Sequence, residues 1–468
     1  MKNKLLKVSA TLLAGLIFIG LLPLNTLSAS GEIPIDEAHF PDANFRDFVL
    51  NGRDSDTNVL IDENRNGSLS EPELSAVRNI NVCCMDISDL TGIEYFTSLK
   101  TLDCGSNELT ALDISKNTAL TRLGCDINRL TSLDVSRNTA LTELYCFKNQ
   151  LTSLSVSRNT ALKILACPEN LLTELDVSQN TALESIDCSN NLLPDMDISK
   201  NTALKQFYCN ENLLTELDVS KNTALTQLSC GGNALANLDV SKNTALTDLY
   251  CFRDQLANLD VSKNTALLIL YCDDNQLTSL DLSKNTELRE LCCLGNRLTS
   301  LDLSRNIKMD SLWCGTNCLT SLDLSRNAEL LYFECTGNSY KIPSSPYDLT
   351  GLPEGFDINK ASNWERGTVE GTILTFDDEN ISVSYMYDCG NLWHMETSLY
   401  IADALLGDYD CSNAVDMTDA VLTMRAALGL ITPSEQSLSN ADIDGDGVLT
   451  AADALFIMRI VLGLDRLH

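Results

Sequence analysis

The chain has 468 residues, of which 65 are acidic and 33 are basic, so its formal net charge at pH 7 is −32. This length exceeds one ordinary compact domain and predicts several domains or a repeat array. The acidic charge argues against nucleic acid and anionic membranes as partners, and it suits calcium and a solvated surface.

Residues 1–30 have the features of a secretory signal peptide. Three lysines precede an apolar run that is too short to span a bilayer, and Ser28 and Ser30 stand at the usual cleavage spacing. A second long apolar stretch does not follow. We therefore expect a secreted, extracellular protein whose mature chain does not insert into a membrane.

Residues 31–97 are predicted to form an N-terminal cap. The segment HFPDANFRDFVL predicts a short helix that offers Phe40, Phe45 and Phe48 to a core. The following DENRNGSLSEPE matches an EF-hand loop, with oxygen ligands at positions 1, 3, 5, 7 and 12 and glycine at position 6. The candidate calcium ligands are Asp62, Asn64, Asn66, Ser68 and Glu73. The alternative is a turn that keeps the pattern without the metal.

Residues 98–345 repeat with a period of 21. Each unit reads L-x-x-L-x-C-x-x-N-x-L, and cysteines recur at strict steps of 21 from Cys104 to Cys335, with Cys83 one step earlier. One unit cannot bury its own apolar residues, whereas stacked units bury them together, so the pattern predicts a solenoid. A coil this short leaves no room for a long helix. Alternation in the second half of each unit predicts a second short strand.

This period and consensus resemble the leucine-rich repeat family, and the N-terminal cap resembles that of leucine-rich repeat proteins of gut clostridia. The resemblance implies a repeat solenoid, namely a short-coil leucine-rich repeat β-solenoid made mostly of strand and coil. Cysteine stands where most such repeats carry leucine. Coils that stack at about 4.8 Å bring these side chains together in poor geometry for a disulfide. We predict buried thiols, with a metal ladder as the remote alternative.

Two other rows recur at the same period. Asparagine at the ninth position of each unit is predicted to bond backbone groups that the turn leaves free, and Asp254 interrupts this row. The residue before each repeat cysteine is predicted to point outward on the concave face. Aromatic residues at these and adjacent positions are Tyr145, Phe147, Tyr208, Tyr250, Phe252, Tyr271, Trp313 and Tyr332. They suggest a surface for a glycan or a protein, and the alternative is ring stacking that stiffens the sheet.

Residues 346–401 lose the repeat and alternate like strands, with a hairpin turn at Gly390–Asn391. We predict a small β cap that closes the open edge of the solenoid. Cys389 and His394 lie close in sequence, and such a pair is a candidate nucleophile. Their place beside a predicted turn argues against catalysis.

Residues 402–468 contain two aspartate-rich loops that start 34 residues apart, each followed by a similar helix. Both loops have calcium spacing and end on aspartate at position 12. The predicted ligands are Asp408, Asp410, Ser412, Asp416 and Asp419 in the first loop, and Asp442, Asp444, Asp446, the carbonyl of Val448 and Asp453 in the second. The alternative is two acidic turns without a metal.

This duplicated loop and helix resemble the type I dockerin family. The resemblance implies an α-helical, EF-hand-like module that calcium folds and that binds a cohesin on a scaffoldin. It also implies that loop positions 10 and 11 and later helix positions contact the cohesin. These residues are Met417, Thr418, Met424, Arg425, Ala451, Ala452, Met458 and Arg459. The paired Met-Arg positions suggest two-fold pseudo-symmetry, and the absence of the common Ser-Thr pair leaves the cohesin type open.

Together these features predict a non-catalytic cellulosome component that supports polysaccharide degradation. The dockerin would bind the cohesin, and the repeats would display a concave binding face. One alternative is a glycoside hydrolase or other enzyme, because most dockerin-bearing proteins are hydrolases. Against it, no segment outside the repeats and caps is large enough for a hydrolase domain, and no convergent carboxylate pair stands out. The other alternative is an adhesin or inhibitor anchored through the scaffold.

Overall fold

The computed structural model describes residues 31–343, 345–377, 382–401, 415–430, 441 and 448–462. The predicted signal peptide lies outside these residues. The chain divides into two compact units, Met1–Leu171 and Leu172–His468. None of the helices in the described ranges is both long enough and apolar enough to cross a bilayer.

The first unit opens with two short helices and a two-stranded antiparallel ribbon. Their bounds are α1 Ala43–Asn51, α2 Glu71–Ala76, β1 Ile33–Pro34 and β2 Ser68–Leu69. The carboxylate of Asp42 caps α1 by accepting two backbone hydrogen bonds at 2.9 and 3.0 Å. Phe40 and Phe45 are fully buried as predicted, whereas Phe48 is only half-buried. Val49 takes its place in the core because it lies one turn after Phe45 on the same helix face.

Buried Asp54 joins this cap to the first coil. Its Oδ2 accepts hydrogen bonds from the backbone amides of Arg78 and Asn79 at 2.7 and 2.9 Å. Burial opposes ionisation, but these bonds and that from Thr57 prevail and lower the pKa of Asp54 to about 2. An ionised side chain therefore fixes where the coils begin.

The coils of the first unit pair through three-residue parallel strands. These are β3 Asn79–Asn81, β4 Thr101–Asp103, β5 Arg122–Gly124, β6 Glu143–Tyr145 and β7 Ile164–Ala166. The central residue of each strand is buried, because side chains alternate between the two faces of a strand. The first and third positions therefore carry the residues available for recognition.

The second unit continues the same strand pattern. Its strands are β8 Ser185–Asp187, β9 Gln206–Tyr208, β10 Gln227–Ser229, β11 Asp248–Tyr250, β12 Ile269–Tyr271, β13 Glu290–Cys292, β14 Ser311–Trp313 and β15 Tyr332–Glu334. Neighbouring strands pair in parallel, and paired residues are 21 positions apart in the chain. This arrangement confirms the predicted β-solenoid of short leucine-rich coils.

The predicted second strand in each coil is wrong. Leu133 and Val135 are buried, but the described coils contain no strand at these positions. The carbonyl of Val135 accepts from the backbone amide of Asn138 at 3.0 Å within the same coil. Because that carbonyl is used in a local turn, a continuous ladder between coils does not form on this side.

The repeat cysteines form a column of buried thiols, as predicted. We call the twelve residues at steps of 21 from Cys104 to Cys335 the cysteine column. Cys104 through Cys314 have no exposed surface, and burial raises the pKa of thiols such as Cys125 well above the ordinary range. Cys83 does not extend the column. Asn79 pairs with Thr101, a step of 22, so fully buried Val82 takes that place and Cys83 is half-buried.

Two asparagine rows bond successive coils. In the predicted row, Asn128 Nδ2 donates to the carbonyls of Cys104 and Cys125 at 3.0 and 3.2 Å, and its Oδ1 accepts from the Leu109 amide at 2.9 Å. A second row, which the sequence analysis missed, lies in the turn after each second half. There Asn138 donates to two carbonyls, both at 3.0 Å. The recurrent N-T-A motif was the signal that could have revealed it.

A β cap covers the last coil of the second unit. Its strands are β16 Asn338–Ile342, β17 Tyr347–Asp348, β18 Ala361–Glu365, β19 Gly367–Glu370, β20 Ile373–Phe376, β21 Ser382–Gly390 and β22 Trp393–Ile401. They form sheets in the orders β16-β22-β21-β18 and β17-β20-β19. Thr397 and Tyr385 donate side-chain hydrogen bonds to last-coil carbonyls at 2.8 and 2.7 Å. The hairpin turn is at Asn391–Leu392, one residue later than predicted, because Gly390 already pairs with Trp393.

Two helices of equal length contact each other near the end of the second unit. They are α3 Met417–Ala427 and α4 Ala451–Val461. Ala420, Ala441, Leu449 and Ile457 form the buried core between them. This core is small for a module that must fold on its own.

Candidate functional site

The two tail helices start in the same way. Asp416 and Thr450 are the N-cap residues, and the carboxylate of the residue three positions later reaches back to each cap. Asp419 Oδ2 accepts from the Asp416 amide at 2.7 Å, and Asp453 Oδ2 accepts from the Thr450 amide at 2.8 Å. These are reciprocal capping boxes with aspartate in place of glutamate. The twelfth residue of each predicted calcium loop is thus fixed by its helix start.

The described part of the tail contains two buried carboxylates of the predicted calcium loops. Asp419 is fully buried and Asp453 is 2% exposed, and buried carboxylates are unfavourable unless something neutralises them. Hydrogen bonds from Thr418 hold the pKa of Asp416 below its ordinary value. Carboxylate and carbonyl oxygens are the ligands that calcium prefers. In the described ranges, no group of three or more His, Cys, Asp or Glu side chains could hold a metal.

Most of the predicted calcium ligands of the tail lie outside the part of the chain that the structure describes. Asp408, Asp410, Ser412, Asp442, Asp444 and Asp446 lie outside the described residues. Val448 is described, and its side chain is exposed. The two complete ligand sets therefore stay a prediction.

The N-terminal loop is ordered by its own hydrogen bonds. Asp62 is 1% exposed, and its carboxylate accepts from the amides of Asn66 and Gly67 at 3.2 and 3.0 Å. Glu73 accepts from the amide and hydroxyl of Ser70 at 2.9 and 2.6 Å. Burial opposes ionisation of Glu73, but the bonds from Ser70 and other donors lower its pKa overall. Oδ1 of Asn64 and of Asn66 accept from amides two residues ahead.

Calcium at this loop stays a prediction, because the hydrogen bonds explain the turn but do not decide its occupant. The predicted Ser68 contributes its amide to Asn66 and begins β2. The spacing of an EF-hand is therefore retained in a cap whose carboxylates already accept several backbone bonds.

The predicted cohesin contacts lie mostly on the tail surface. Met417, Thr418 and Arg425 on α3 are exposed, as are Ala451, Ala452 and Arg459 on α4. Met424 and Met458 are half-buried, and Met458 packs against the tail core. The predicted set therefore combines surface residues with two that also support the helix pair.

Two pairs of exposed apolar residues at equivalent positions of the tail helices were not predicted. Val421 and Leu455 are 50% and 53% exposed, and Leu428 and Leu462 are 65% and 60% exposed. Each pair is separated by the 34-residue spacing of the duplicated loops. That same spacing, applied to apolar residues instead of to the Met-Arg pairs alone, could have identified them. Equivalent exposed apolar positions on two similar helices are typical of a contact surface.

The concave aromatic residues do not form one continuous surface. Tyr250 and Tyr271 meet at 5.2 Å between ring centroids, and Tyr271 meets Trp313 at 6.1 Å. We call these three residues the ring cluster. By contrast, Tyr145 lies under the guanidinium of Arg122 at 4.5 Å.

The remaining predicted aromatics have other surroundings. The hydroxyl of Tyr208 bonds the side chain of Gln227. Phe147 and Phe252 are half-buried beside the cysteine column, and Arg253 lies 5.2 Å from the Phe252 ring centroid. Tyr332 is 65% exposed and occupies the first position of β15.

The candidate nucleophile in the β cap is poorly suited to chemistry. Cys389 is fully buried, and burial raises the pKa of its thiol to about 12. The thiolate is the reactive form, so this environment disfavours attack on a substrate. His394 pairs with Asp388 across the hairpin.

Comparison with known proteins agrees with this geometry. A model of the type I dockerin domain matches residues 406–462. Over 95 residues the chain is 36% identical to Internalin J of Listeria monocytogenes, a match that covers 20% of this chain and only 10% of that protein. The solved functional domain of InlJ from the same species, which includes a cysteine ladder, has a TM-score of 0.60 at 28% identity, over 80% of this chain and 100% of that one. A Listeria internalin, InlF, has a TM-score of 0.53 at 22% identity, over 65% of this chain and 98% of that one.

The fold and the column of thiols therefore define a leucine-rich repeat β-solenoid protein. At the other end of the described chain, the paired capping boxes coincide with a type I dockerin domain. The chain thus combines leucine-rich repeats with a C-terminal dockerin. Both are non-catalytic domain types, and a dockerin implies a cohesin partner.

Proposed function

We propose that this protein is a secreted, non-catalytic cellulosome component. Its dockerin binds a scaffoldin cohesin in the presence of calcium, and its repeats hold a concave face toward a protein or glycan. In this way it supports polysaccharide breakdown without cutting bonds itself.

The duplicated helix surface is the observation that carries this proposal. α3 and α4 each present an exposed apolar residue and an exposed arginine at equivalent positions, namely Val421 with Arg425 and Leu455 with Arg459. Two equivalent surfaces allow a cohesin to bind through either helix. Apolar contacts in the centre of such a surface contribute most of the affinity, and charged residues at the rim contribute orientation.

The test is a pull-down of the full chain by a panel of cohesins. We expect capture in calcium and loss of capture after chelation. Val421→Asp or Leu455→Asp alone should leave one competent surface, and the double variant should lose binding. Leu331→Asp is a matched control, because Leu331 is 70% exposed on the repeats and away from the tail helices in sequence.

Two results would contradict the proposal. Capture that persists equally in chelator, or that the double variant retains in full, would remove calcium-dependent docking through these helices. Release of reducing sugar from plant fibre by the purified protein would contradict the proposal that the protein is non-catalytic.

A further inference from the structure

We infer that the ring cluster binds a cationic segment of a partner protein, with a lysine or arginine side chain over Tyr250, Tyr271 and Trp313 and beside the carboxylates of Asp248 and Glu290. This inference rests on the proposed role of the concave face and specifies the chemistry of its partner. The occupant is a basic protein segment and not a neutral polysaccharide.

The ring geometry favours a cation over a flat sugar surface. The Tyr250 and Tyr271 planes differ by 73°, and the Tyr271 and Trp313 planes differ by 66°. Edge-to-face rings do not offer one coplanar platform on which successive sugar rings could stack. They offer separate π faces, each of which carries negative electrostatic potential and attracts an ammonium or guanidinium group.

The strand register explains this tilt. Tyr250 and Tyr271 are direct neighbours on β11 and β12, whereas Cys292 on β13 lies between Tyr271 and Trp313. A small side chain at Cys292 leaves room for the two larger rings to approach each other across it. The cluster is therefore built by the sequence of four consecutive coils.

Carboxylates surround the rings. The hydroxyl of Tyr271 donates to Glu290 Oε2 at 3.0 Å. Burial, reinforced by this bond to Glu290, raises the pKa of Tyr271 to about 12. Burial and the charges of Asp248 and Glu290 also raise the pKa of Tyr250, so both carboxylates act on the same ring cluster.

Among the described residues, no cation–π contact to these three rings is present. In the described coils, the cation–π contacts are those of Arg122 over Tyr145 and Arg253 over Phe252. Arg253 is also paired with Glu211 at 2.7 Å. The ring of Tyr145 already contacts a guanidinium of its own chain, whereas the ring cluster offers its aromatic faces to a cation of a partner. The net charge of −32 also favours a basic partner.

The experiment measures binding of an oligolysine peptide to the full chain by calorimetry, with oligoglutamate and a cello-oligosaccharide as comparison ligands. Tyr271→Leu and Trp313→Leu remove a π face and keep apolar area. Each should weaken oligolysine binding roughly three- to thirtyfold, the range that corresponds to one cation–π contact. Tyr271→Phe keeps the ring and should change affinity less than Tyr271→Leu. Glu290→Gln should weaken binding and reduce its salt dependence.

Matched controls separate a site from diffuse attraction. Tyr332→Leu removes an exposed ring outside the cluster, and Asp302→Asn removes an exposed charge whose carboxylate accepts from the Ser304 amide at 2.9 Å. Both should leave oligolysine affinity unchanged. Equal losses in the controls and in the cluster variants, or binding of the sugar in place of the peptide, would overturn the inference.

Thermal melting identifies any cluster variant that is not folded. If the leucine variants do not fold, Glu290→Gln and Tyr271→Phe still test the site, because they retain the packing. Cohesin capture by the same variants should be normal, because the tail is unchanged. Loss of oligolysine binding with normal capture therefore concerns the ring cluster, whereas loss of capture with intact oligolysine binding concerns the docking proposal.

Discussion

The repeat coils and the tail helices solve the problem of buried polar groups in different ways. In the coils, neutral asparagines such as Asn128 satisfy carbonyls of two successive coils, and the same solution recurs along the array except at Asp254. In the tail, the buried groups are the carboxylates of Asp419 and Asp453. The comparison teaches that the coils distribute their stability over contacts that are repeated along the chain, whereas we predict that the tail depends on a cation that binds its carboxylates.

Chelation should give the largest effect, and it should act on one region alone. Removal of calcium is expected to abolish hydrogen-exchange protection in α3 and α4 and to leave the coils protected. Calcium should stabilise the folded tail by about 4 kcal/mol when it is supplied at roughly 1,000 times its Kd. Exchange measured by mass spectrometry on the full chain resolves both regions in one sample.

The N-terminal loop gives a second measurement in that experiment. Its hydrogen bonds are internal, so residues 62–73 should keep more protection than the tail after chelation. Protection that falls equally in the coils and the tail would contradict the division between metal-free and metal-dependent regions.

The sequence predicted the coils well because one period fixes every register in the array. It placed the buried thiols and the outward aromatic positions without any structural information. It could not locate Val82 in the column, because a single step of 22 residues is invisible in a pattern of 21. It also could not show that Tyr271 and Trp313 meet across Cys292, since that depends on side-chain directions rather than on spacing.

In the tail the sequence located the helices, because the loops are duplicated, but it assigned Asp416, Asp419 and Asp453 only as calcium ligands and did not predict the capping boxes. It missed Val421 and Leu455, whose exposure follows from how α3 and α4 pack and not from their residue type. An apolar helix residue is most often buried, so the residue type alone could not distinguish these two, although their 34-residue spacing could have indicated them.

Asp254 is a buried carboxylate in the coils, comparable to Asp419 and Asp453 in the tail. It replaces asparagine in the predicted row, is 8% exposed, and its Oδ2 lacks a hydrogen-bond partner. At the next position of the row, Asn275 Nδ2 donates to the Cys251 and Cys272 carbonyls at 2.8 and 3.2 Å. Burial raises the pKa of Asp254 to about 6, because it disfavours the charged carboxylate more than the amides of Leu235 and Asn233 stabilise it.

Asp254→Asn should therefore stabilise the coils in a pH-dependent way. The pKa of Asp254 in the folded state lies above the ordinary value of 3.8. The contribution of Asp254 to the free energy of unfolding is therefore complete below about pH 4 and is lost as the pH rises through about 6. The free energy of unfolding of the variant should exceed that of the wild type by about 3 kcal/mol more at pH 8 than at pH 3. Urea unfolding at several pH values measures this.

The reverse change sharpens the same test. Asn275→Asp introduces the carboxylate at an equivalent place and should lower stability over the same pH window. A pH-independent difference between wild type and Asp254→Asn would show that Asp254 is not held in the protonated form.

The second asparagine row should give a smaller effect that does not depend on pH. Asn243→Ala removes hydrogen bonds to the Val219 and Asn222 carbonyls, at 3.0 and 2.9 Å. Both carbonyls keep a backbone bond within their own turn, so we expect a loss of about 2 kcal/mol. Asn258→Ala, at an exposed position of the following coil, should change stability by less than about 0.5 kcal/mol. Equal effects of the two changes would argue that the row does not bond the coils.

The cysteine column should give the smallest effect, because a neutral thiol contributes mainly packing. Cys209 has no exposed surface, and burial raises the pKa of its thiol well above the ordinary range. A neutral thiol in this place behaves as a small apolar side chain, so Cys209→Ala should cost about 1 kcal/mol in the free energy of unfolding. Elemental analysis of the purified protein should find the same metal content before and after this change. A metal held by the column would instead be lost with Cys209, together with a much larger part of the stability, and the coils would then depend on a metal as the tail does.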